Sequence, residues 1–344
     1  MKALHYETFS GPVGVGDLPA PEAPDGGALI RVGASGLCRS DWHAWAGHDD
    51  SVRLPHVPGH EFAGIVEAVG AGVEGWRPGD RVTAPFVNGC GACEWCLSGQ
   101  AQVCPQQTQP GFTHWGSHAE VVVVRAADLN LVAVPDGLPD SAAAALGCRF
   151  ATAYRALTAR AVLRPGEWIA VYGAGGVGLS AIAIARALGA RPIAIDRSSD
   201  ALDAAARLGA EHTVPAGTDA PETVAALTSG GAHVSVDAVG SAETAAASVL
   251  SLRRRGRHVQ IGLLAGGMPV LPLDRAIAWE LDLLGSHGMA AADYPGMLAL
   301  VASGALRPEL LVTRTVGLAE AARLLPLAES APSTGITVLD PTRP

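Results

Sequence analysis

No apolar stretch among the 344 residues approaches the ~18 needed to span a membrane, and Arg186 interrupts the best candidate. The N-terminal residues Met1-Lys2-Ala3-Leu4-His5-Tyr6-Glu7 lack the apolar core of a secretory signal, which makes the cytoplasm the expected compartment. Basic charge is short as well, with 24 Lys and Arg against 33 Asp and Glu, a net charge of −9. Nucleic acid and anionic membrane surfaces both require clustered cations, so neither is an expected partner. The one basic run, Arg253-Arg254-Arg255-Gly256-Arg257, reads as a solvated loop. Cysteine is scarce, six residues in all, too few for a disulfide scaffold. The six are not scattered, however. Four fall within Cys90–Cys104, and in a reducing compartment such clustering points to metal ligation.

The chain is long enough for two domains, each with its own core. Its first half holds short β-like runs at 28–32, 64–69 and 119–124, bounded by Gly, Pro and Asp, and a Pro78-Gly79 turn feeds a further strand. Together they predict a partly closed β-barrel. From about residue 150 the texture changes. Strand candidates at 168–172, 191–195, 233–237 and 257–261 alternate with Ala/Leu-rich helical stretches at 176–188, 199–208 and 242–252. Such alternation predicts a parallel sheet with right-handed crossovers. No flexible linker separates the halves, so a cleft is expected where they abut.

Two segments match GxGxxG, a pattern that chance alone would produce about 0.6 times in a chain with 42 glycines. Gly70-Ala71-Gly72-Val73-Glu74-Gly75 runs into Trp76-Arg77-Pro78-Gly79, which cannot open a helix, and is read as a turn. Gly173-Ala174-Gly175-Gly176-Val177-Gly178 follows a strand and opens a helix. There Gly173 permits the tight turn, Gly175 lets backbone approach a pyrophosphate, and Gly178 lets helix and strand pack closely. The phosphates would lie over the unpaired N–H groups at the helix start. Asp196 ends the next strand, where its carboxylate can grip an adenosine ribose, with Arg197 directly after it. NAD rather than NADP is the expected cofactor, because a 2′-phosphate would meet that carboxylate.

Cys90-x2-Cys93-x2-Cys96-x7-Cys104 is the strongest single signal. Four thiolates at short spacing wrap one tetrahedral ion and leave no open position, so the site (88–105) is expected to be a structural zinc lobe. An iron–sulfur cluster is the rival, but a ferredoxin run places three residues before its last cysteine and here there are seven.

The remaining cysteines lie in Cys38-Arg39-Ser40-Asp41-Trp42-His43 and Gly147-Cys148-Arg149-Phe150, with Gly59-His60-Glu61 between them. In this order, with the four-cysteine lobe and the glycine loop, the motifs resemble the zinc-dependent medium-chain alcohol dehydrogenases over essentially the whole chain. The resemblance implies an α/β protein: a GroES-like β-barrel catalytic domain (1–149 and 287–344) and an inserted Rossmann doubly wound parallel sheet (150–286). It implies Cys38, His60 and Cys148 as ligands of a catalytic zinc with a fourth position open. Asp41 would orient His60, Glu61 would stand behind the metal, and Ser40 and His43 would relay the proton. Arg39 would contact the pyrophosphate, Thr152 the nicotinamide end, and Phe86 the substrate; Trp45 and Trp115 are further candidates for an aromatic-lined pocket. The expected cofactors are two zinc ions per chain and NAD, and the expected assembly is a homotetramer, or else a dimer. The expected reaction moves a hydride between a primary or secondary alcohol and NAD, giving an aldehyde or ketone.

Two other readings stay open at this stage. A polyol or amino-alcohol dehydrogenase of the same superfamily would often carry Glu as third ligand, where Cys148 stands here. A non-catalytic zinc- and nucleotide-binding protein would keep the fold without turnover. One departure from the family pattern concerns the cofactor. Many members carry an arginine near the C-terminus that pairs with the cofactor phosphate, and in Thr334-Gly335-Ile336-Thr337-Val338 that place belongs to Ile336.

Overall fold

The computed structural model describes residues 1–264, 267, 269–329 and 334–343. β1 (Lys2–Tyr6) and β2 (Val13–Asp17) form an antiparallel hairpin. β3 (Ala28–Leu37), β4 (Glu61–Val69), β5 (Arg81–Thr83), β6 (Val121–Val124) and β7 (Val132–Ala133) build most of a curved antiparallel sheet. The long β3 is its axis, pairing with β4 along its length and with β6 at its start. Ile30, Val32, Phe62, Val66 and Val122 fill the interior, as strands with one buried face require.

The second sheet comprises β8 (Trp168–Tyr172), β9 (Arg191–Asp196), β10 (His212–Pro215), β11 (Ala232–Asp237), β12 (Leu252–Gln260) and β13 (Asp282–Gly285). Their order is β10-β9-β8-β11-β12-β13 and every pair is parallel. The order reverses between β8 and β11, so the crevice beyond the C-terminal end of β8 is where such a sheet takes its ligand. All five residues of β8 are buried, as a central parallel strand demands. The chain then returns: β14 (Val312–Val316) pairs with β15 (Ile336–Leu339), and β15 lies antiparallel to β3 with Thr337 opposite Leu37. The C-terminus therefore braces the strand end that delivers Cys38.

A helical run over 140–160 joins the two sheets. Ala142–Ala145 pack into the same apolar cluster as Ala34 and Ala63 of the first sheet, and Phe150 and Ala151 share it with Leu179 and Ile182 of the second. One continuous core thus spans both sheets. The run includes π-helical turns at Leu146–Phe150 and Ala156–Arg160, a feature that often marks functional sites.

Each strand and helix named from the sequence overlaps an observed element. β1, β2, β7, β10, β13, β14 and β15 and the helices Arg39–Trp45, Ala220–Thr228, Leu273–Trp279, Tyr294–Ala302 and Leu318–Leu324 escaped the sequence reading; strands as short as Asp-Leu-Leu-Gly have too few positions to display a period. The basic run is a correction: it is not a loop but the first half of β12. Leu252 and Arg257 pair with β11 on either side of a register shift, and the charges of the run are met locally. Arg257 is ion-paired to Glu167 at 2.7 Å, Arg253 bonds His233 at 2.8 Å, and Arg254 lies over the Trp279 ring.

Candidate active site and metal centres

Cys38 ends β3 and caps the short helix Arg39–Trp45. The first turn of that helix brings Asp41 back, so that its carboxylate accepts from Cys38 N (2.8 Å) and from Gly59 N (3.1 Å). Gly59, at φ +106, has no room for a side chain, since a Cβ would sit 2.5 Å from His118 N. That tight turn presents His60 to Asp41. A carboxylate only accepts, so the 2.9 Å contact between His60 Nδ1 and Asp41 Oδ1 makes Nδ1 the donor and leaves Nε2 with a free lone pair. Nε2 is buried and has no hydrogen-bond partner. The π turn Leu146–Phe150 brings up Cys148, and Glu61 follows His60. One donor atom from each of Cys38, His60, Glu61 and Cys148 lies within 4.8 Å of all the others, and all four residues sit deep in the cleft.

The electrostatics fit a cation. Bonding to Cys148 holds Cys38 well below the usual thiol range, and the same contact, with burial, drives Cys148 well above it. Burial opposes charge on His60, yet Asp41 keeps its basicity well above an ordinary imidazole. Burial pushes Glu61 up to about 7 against the pull of Arg149, whose Nη2 lies 3.4 Å from Oε2. Two sulfurs and an unpartnered imidazole nitrogen are a donor set of the zinc type.

The second cluster is a separate lobe. Cys93 Sγ lies 3.5 Å from Cys96 Sγ and 3.6 Å from Cys104 Sγ, and Cys90 Sγ lies 4.0 Å from Cys96 Sγ, with all four thiols free. The Ala92 N–H, bonded to Cys90 Sγ at 3.5 Å, is the main reason that thiol falls to about 6, whereas burial lifts Cys96 to about 12. Asn130 clamps the lobe by accepting from Gly89 N and donating to Gly89 O, each at 2.9 Å. Four sulfurs around one point leave no vacancy for substrate.

The glycine loop joins β8 to the helix Gly176–Ala187. Gly173 adopts φ +90, and a Cβ on Gly178 would stand 1.7 Å from Gly173 O, so the strand–loop–helix contact requires glycine there. A Cβ on Gly175 would meet nothing within 4 Å, which leaves the start of the helix Gly176–Ala187 open to a ligand beside Gly176 and Val177. Asp196 accepts from Ala174 N (2.7 Å) and Ser198 N (2.9 Å), which fixes its carboxylate against the loop. Arg197 points into solvent. Gly70–Gly75 follows β4 as turns, as expected.

The other site candidates divide. Phe86 stands edge-on to His60, ring centroids 6.0 Å apart, and therefore walls the metal cluster. Ser40 Oγ lies 3.8 Å from Cys38 Sγ, and Thr152 is buried one turn past Cys148. His43 is half-buried and its Nδ1 meets His48 Nδ1 at 3.0 Å. Arg39 is exposed. The two tryptophans do not join this cluster. Trp45 packs with Leu4, Val316 and Leu318 and bonds Gly11 O, and Trp115 packs with Ala3 and Val57 and bonds Pro55 O. Both are explained by packing of large rings with one polar atom to satisfy. Three neighbours escaped the sequence reading. Phe112 packs at a tilt against His60 with centroids 5.3 Å apart, His287 stands edge-on to Phe86 at 5.3 Å, and Arg149 pairs with Glu61. Only Arg149 carried a signal, by adjoining Cys148.

A dinucleotide-type sheet whose switch point faces a Cys/His/Glu cluster, with a closed four-cysteine lobe alongside, defines a zinc-containing dehydrogenase. Residues 24–136 match the family described as alcohol dehydrogenase GroES-like domain, and residues 176–303 that described as zinc-binding dehydrogenase. An alcohol dehydrogenase of Geobacillus stearothermophilus is 35% identical over 89% of this chain and 90% of its own. The NAD-dependent alcohol dehydrogenase of Sulfurisphaera tokodaii is 32% identical over 99% of this chain and 100% of its own. The solved alcohol dehydrogenase TADH from Thermus sp. ATN1 superposes with a TM-score of 0.89 at 35% identity, covering 99% of both chains. The chain belongs to the zinc-dependent medium-chain alcohol dehydrogenase family. It is an NAD-dependent enzyme that interconverts alcohols with aldehydes or ketones.

Proposed function

We propose that Cys38, His60 and Cys148 hold the catalytic zinc, and that Cys90, Cys93, Cys96 and Cys104 hold the structural one. The observation that carries the first assignment is the buried, unpartnered His60 Nε2, with the Cys38 and Cys148 sulfurs in the same cluster of donor atoms within 4.8 Å of one another. Zinc bound there supplies a Lewis acid that acidifies an alcohol hydroxyl; for water the pKa falls from about 15.7 to about 7, roughly 12 kcal/mol. The protein does the rest. Asp41 fixes the His60 tautomer. Phe86 and Phe112 exclude water from the carbinol carbon, while Glu61 stands behind the cluster, paired to Arg149. The glycine loop takes the NAD pyrophosphate with Arg39, Thr152 meets the nicotinamide end, and Asp196 takes the adenosine ribose next to Arg197. Sheet membership supports the division into 1–149 with 287–344 and 150–286. A substrate panel with NAD tests the reading, and absence of turnover with every primary and secondary alcohol would reject it.

Ser40 receives the substrate proton and His43 hands it to solvent. Burial first, then the Arg39 charge and His48, lower the His43 pKa from about 6.5. At neutral pH the imidazole is therefore unprotonated and able to accept. As pH falls through its pKa it protonates, and alcohol oxidation should slow. His43→Gln is expected to remove that acid limb and cost ~10²-fold or less in kcat. Ser40→Ala should cost more, because water can replace the outer member but not the inner one. An unchanged pH profile in His43→Gln would take His43 out of the relay.

The protein works as a homotetramer in the cytoplasm, where a reducing medium keeps six thiols available for metal. Self-association is supported by two separate apolar surfaces among the described residues. One lies beside the unpaired edge of β13 (Leu273 56% and Ile277 81% exposed), the other on the cysteine lobe (Trp95 44% and Leu97 76%). Two distinct self-complementary faces build a tetramer, one only a dimer. Light scattering is expected to give about four times the 34.9 kDa chain mass; a monomer mass would reject the assembly.

A further inference from the structure

Ile336 holds the place where the family resemblance calls for a phosphate-binding arginine, and it is fully buried in the apolar core. Another arginine stands close to the phosphate cradle. Arg149, on the π turn beside Cys148, donates through Nη2 to Leu37 O and lies 3.4 Å from Glu61 Oε2, so its guanidinium is held from one side. Its stem crosses the start of the helix Gly176–Ala187. A Cβ on Gly176 would stand 2.6 Å from Arg149 Cδ and 3.0 Å from Nε, so the second glycine of the Gly175-Gly176 pair is what lets the side chain lie there. The guanidinium also faces the Cys38 thiol, and none of its nitrogens is a sealed, unpartnered atom. Placing a guanidinium at the positive end of a helix is unfavourable unless an anion lies between them. Both features aim at the open space over Gly175, where helix N–H groups await an anion.

We propose that Arg149 supplies the cofactor pyrophosphate contact that Ile336 cannot, so that in this chain the phosphate-binding cation comes from the zinc-ligand turn instead of the C-terminal strand. Through Glu61 and Leu37 the same side chain ties the cofactor cradle to the metal cluster, making Arg149 a positioning residue for NAD. The inference rests on the cleft being the NAD site.

The test is ligand binding, with zinc content as control. In Arg149→Met, the Kd of NADH and of ADP-ribose should weaken about 10- to 100-fold, the loss of a charge-assisted bidentate contact. The Kd of adenosine, which carries no phosphate, should stay within about twofold, and about two zinc ions per chain should remain. Arg149→Lys keeps a cation opposite Glu61, protects the fold if the Met variant fails, and should still lose about 3- to 10-fold for NADH, since an ammonium lacks the planar fork. NADH affinity unchanged in either variant, or adenosine weakened as much as NADH, would overturn the proposal. Inorganic pyrophosphate titrated alone separates the two readings. Binding that disappears in the variants upholds the anion site even if NADH were not bound, and binding that persists unchanged refutes it.

Discussion

Cys38→Ser and Cys148→Ser are each expected to abolish turnover while leaving about one zinc per chain, because the two ligand sets share no residue. The effect should be the largest of any single substitution. Either change removes one of two sulfurs from a cluster that is buried and already at its minimum number of protein donors, and with the metal goes the acidification of the alcohol. Neither should unfold the protein, since neither side chain belongs to the main apolar core, which Ala34, Ala63, Phe150 and Ala151 help to build. Cys93→Ser is the contrasting case. Its sulfur touches those of Cys96 and Cys104, and the lobe has a cluster of only Cys96, Ala101, Cys104 and Ala290 to hold it without metal. Closed zinc sites contribute folding energy directly, so a few kcal/mol lost should lower Tm by about 10 °C. Elemental analysis, activity and thermal unfolding on the three variants decide the matter. Full zinc and full activity in Cys38→Ser and Cys148→Ser would sink the catalytic assignment, and unaltered Tm and zinc in Cys93→Ser the structural one.

NAD should be preferred to NADP by at least about a hundredfold in kcat/KM. The Asp196 carboxylate is fixed against the glycine loop by two backbone N–H groups, so it cannot swing aside to admit a second anion. A 2′-phosphate at about 4 Å would meet repulsion of about 4 kcal/mol per pair of unit charges at an effective dielectric near 20. Arg197, exposed and adjacent, softens that figure, which is why the expected ratio is set below the thousandfold that 4 kcal/mol would give. Asp196→Ser should narrow the ratio by admitting the phosphate beside Arg197. Equal use of both cofactors by the unaltered enzyme would mean that the carboxylate does not face the ribose.

The chemistry was legible in the sequence because its determinants are local. Cys90 to Cys104 lie within one loop, and Gly173 to Gly178 form one strand–turn–helix, so residue type and spacing alone fix what each can bind. Cys38, Asp41 and His60 are different: each is unremarkable in its own short context, and only the order of all the motifs, through the family resemblance, implied their roles. The alternation of strands and helices after residue 150 fixed the layer type, though the shortest strands and the basic half of β12 were lost to weak periodicity. Trp45 and Trp115 stand away from His60 and Phe86 for a related reason: their type predicts packing somewhere, and only the tertiary structure says where.

What the sequence determined by itself, then, was the four-cysteine lobe and the nucleotide loop, whose chemistry follows from residue type at short range, while the order of its motifs pointed to the family and so to the class of reaction. Tertiary structure alone decided which distant residues meet. β15 brought its strand against the end of β3, the π turn carried Cys148 and Arg149 to Glu61, and the segment after β13 set His287 against Phe86. Those encounters depend on how two sheets close over one shared core, a property of the whole packing that no window of sequence contains.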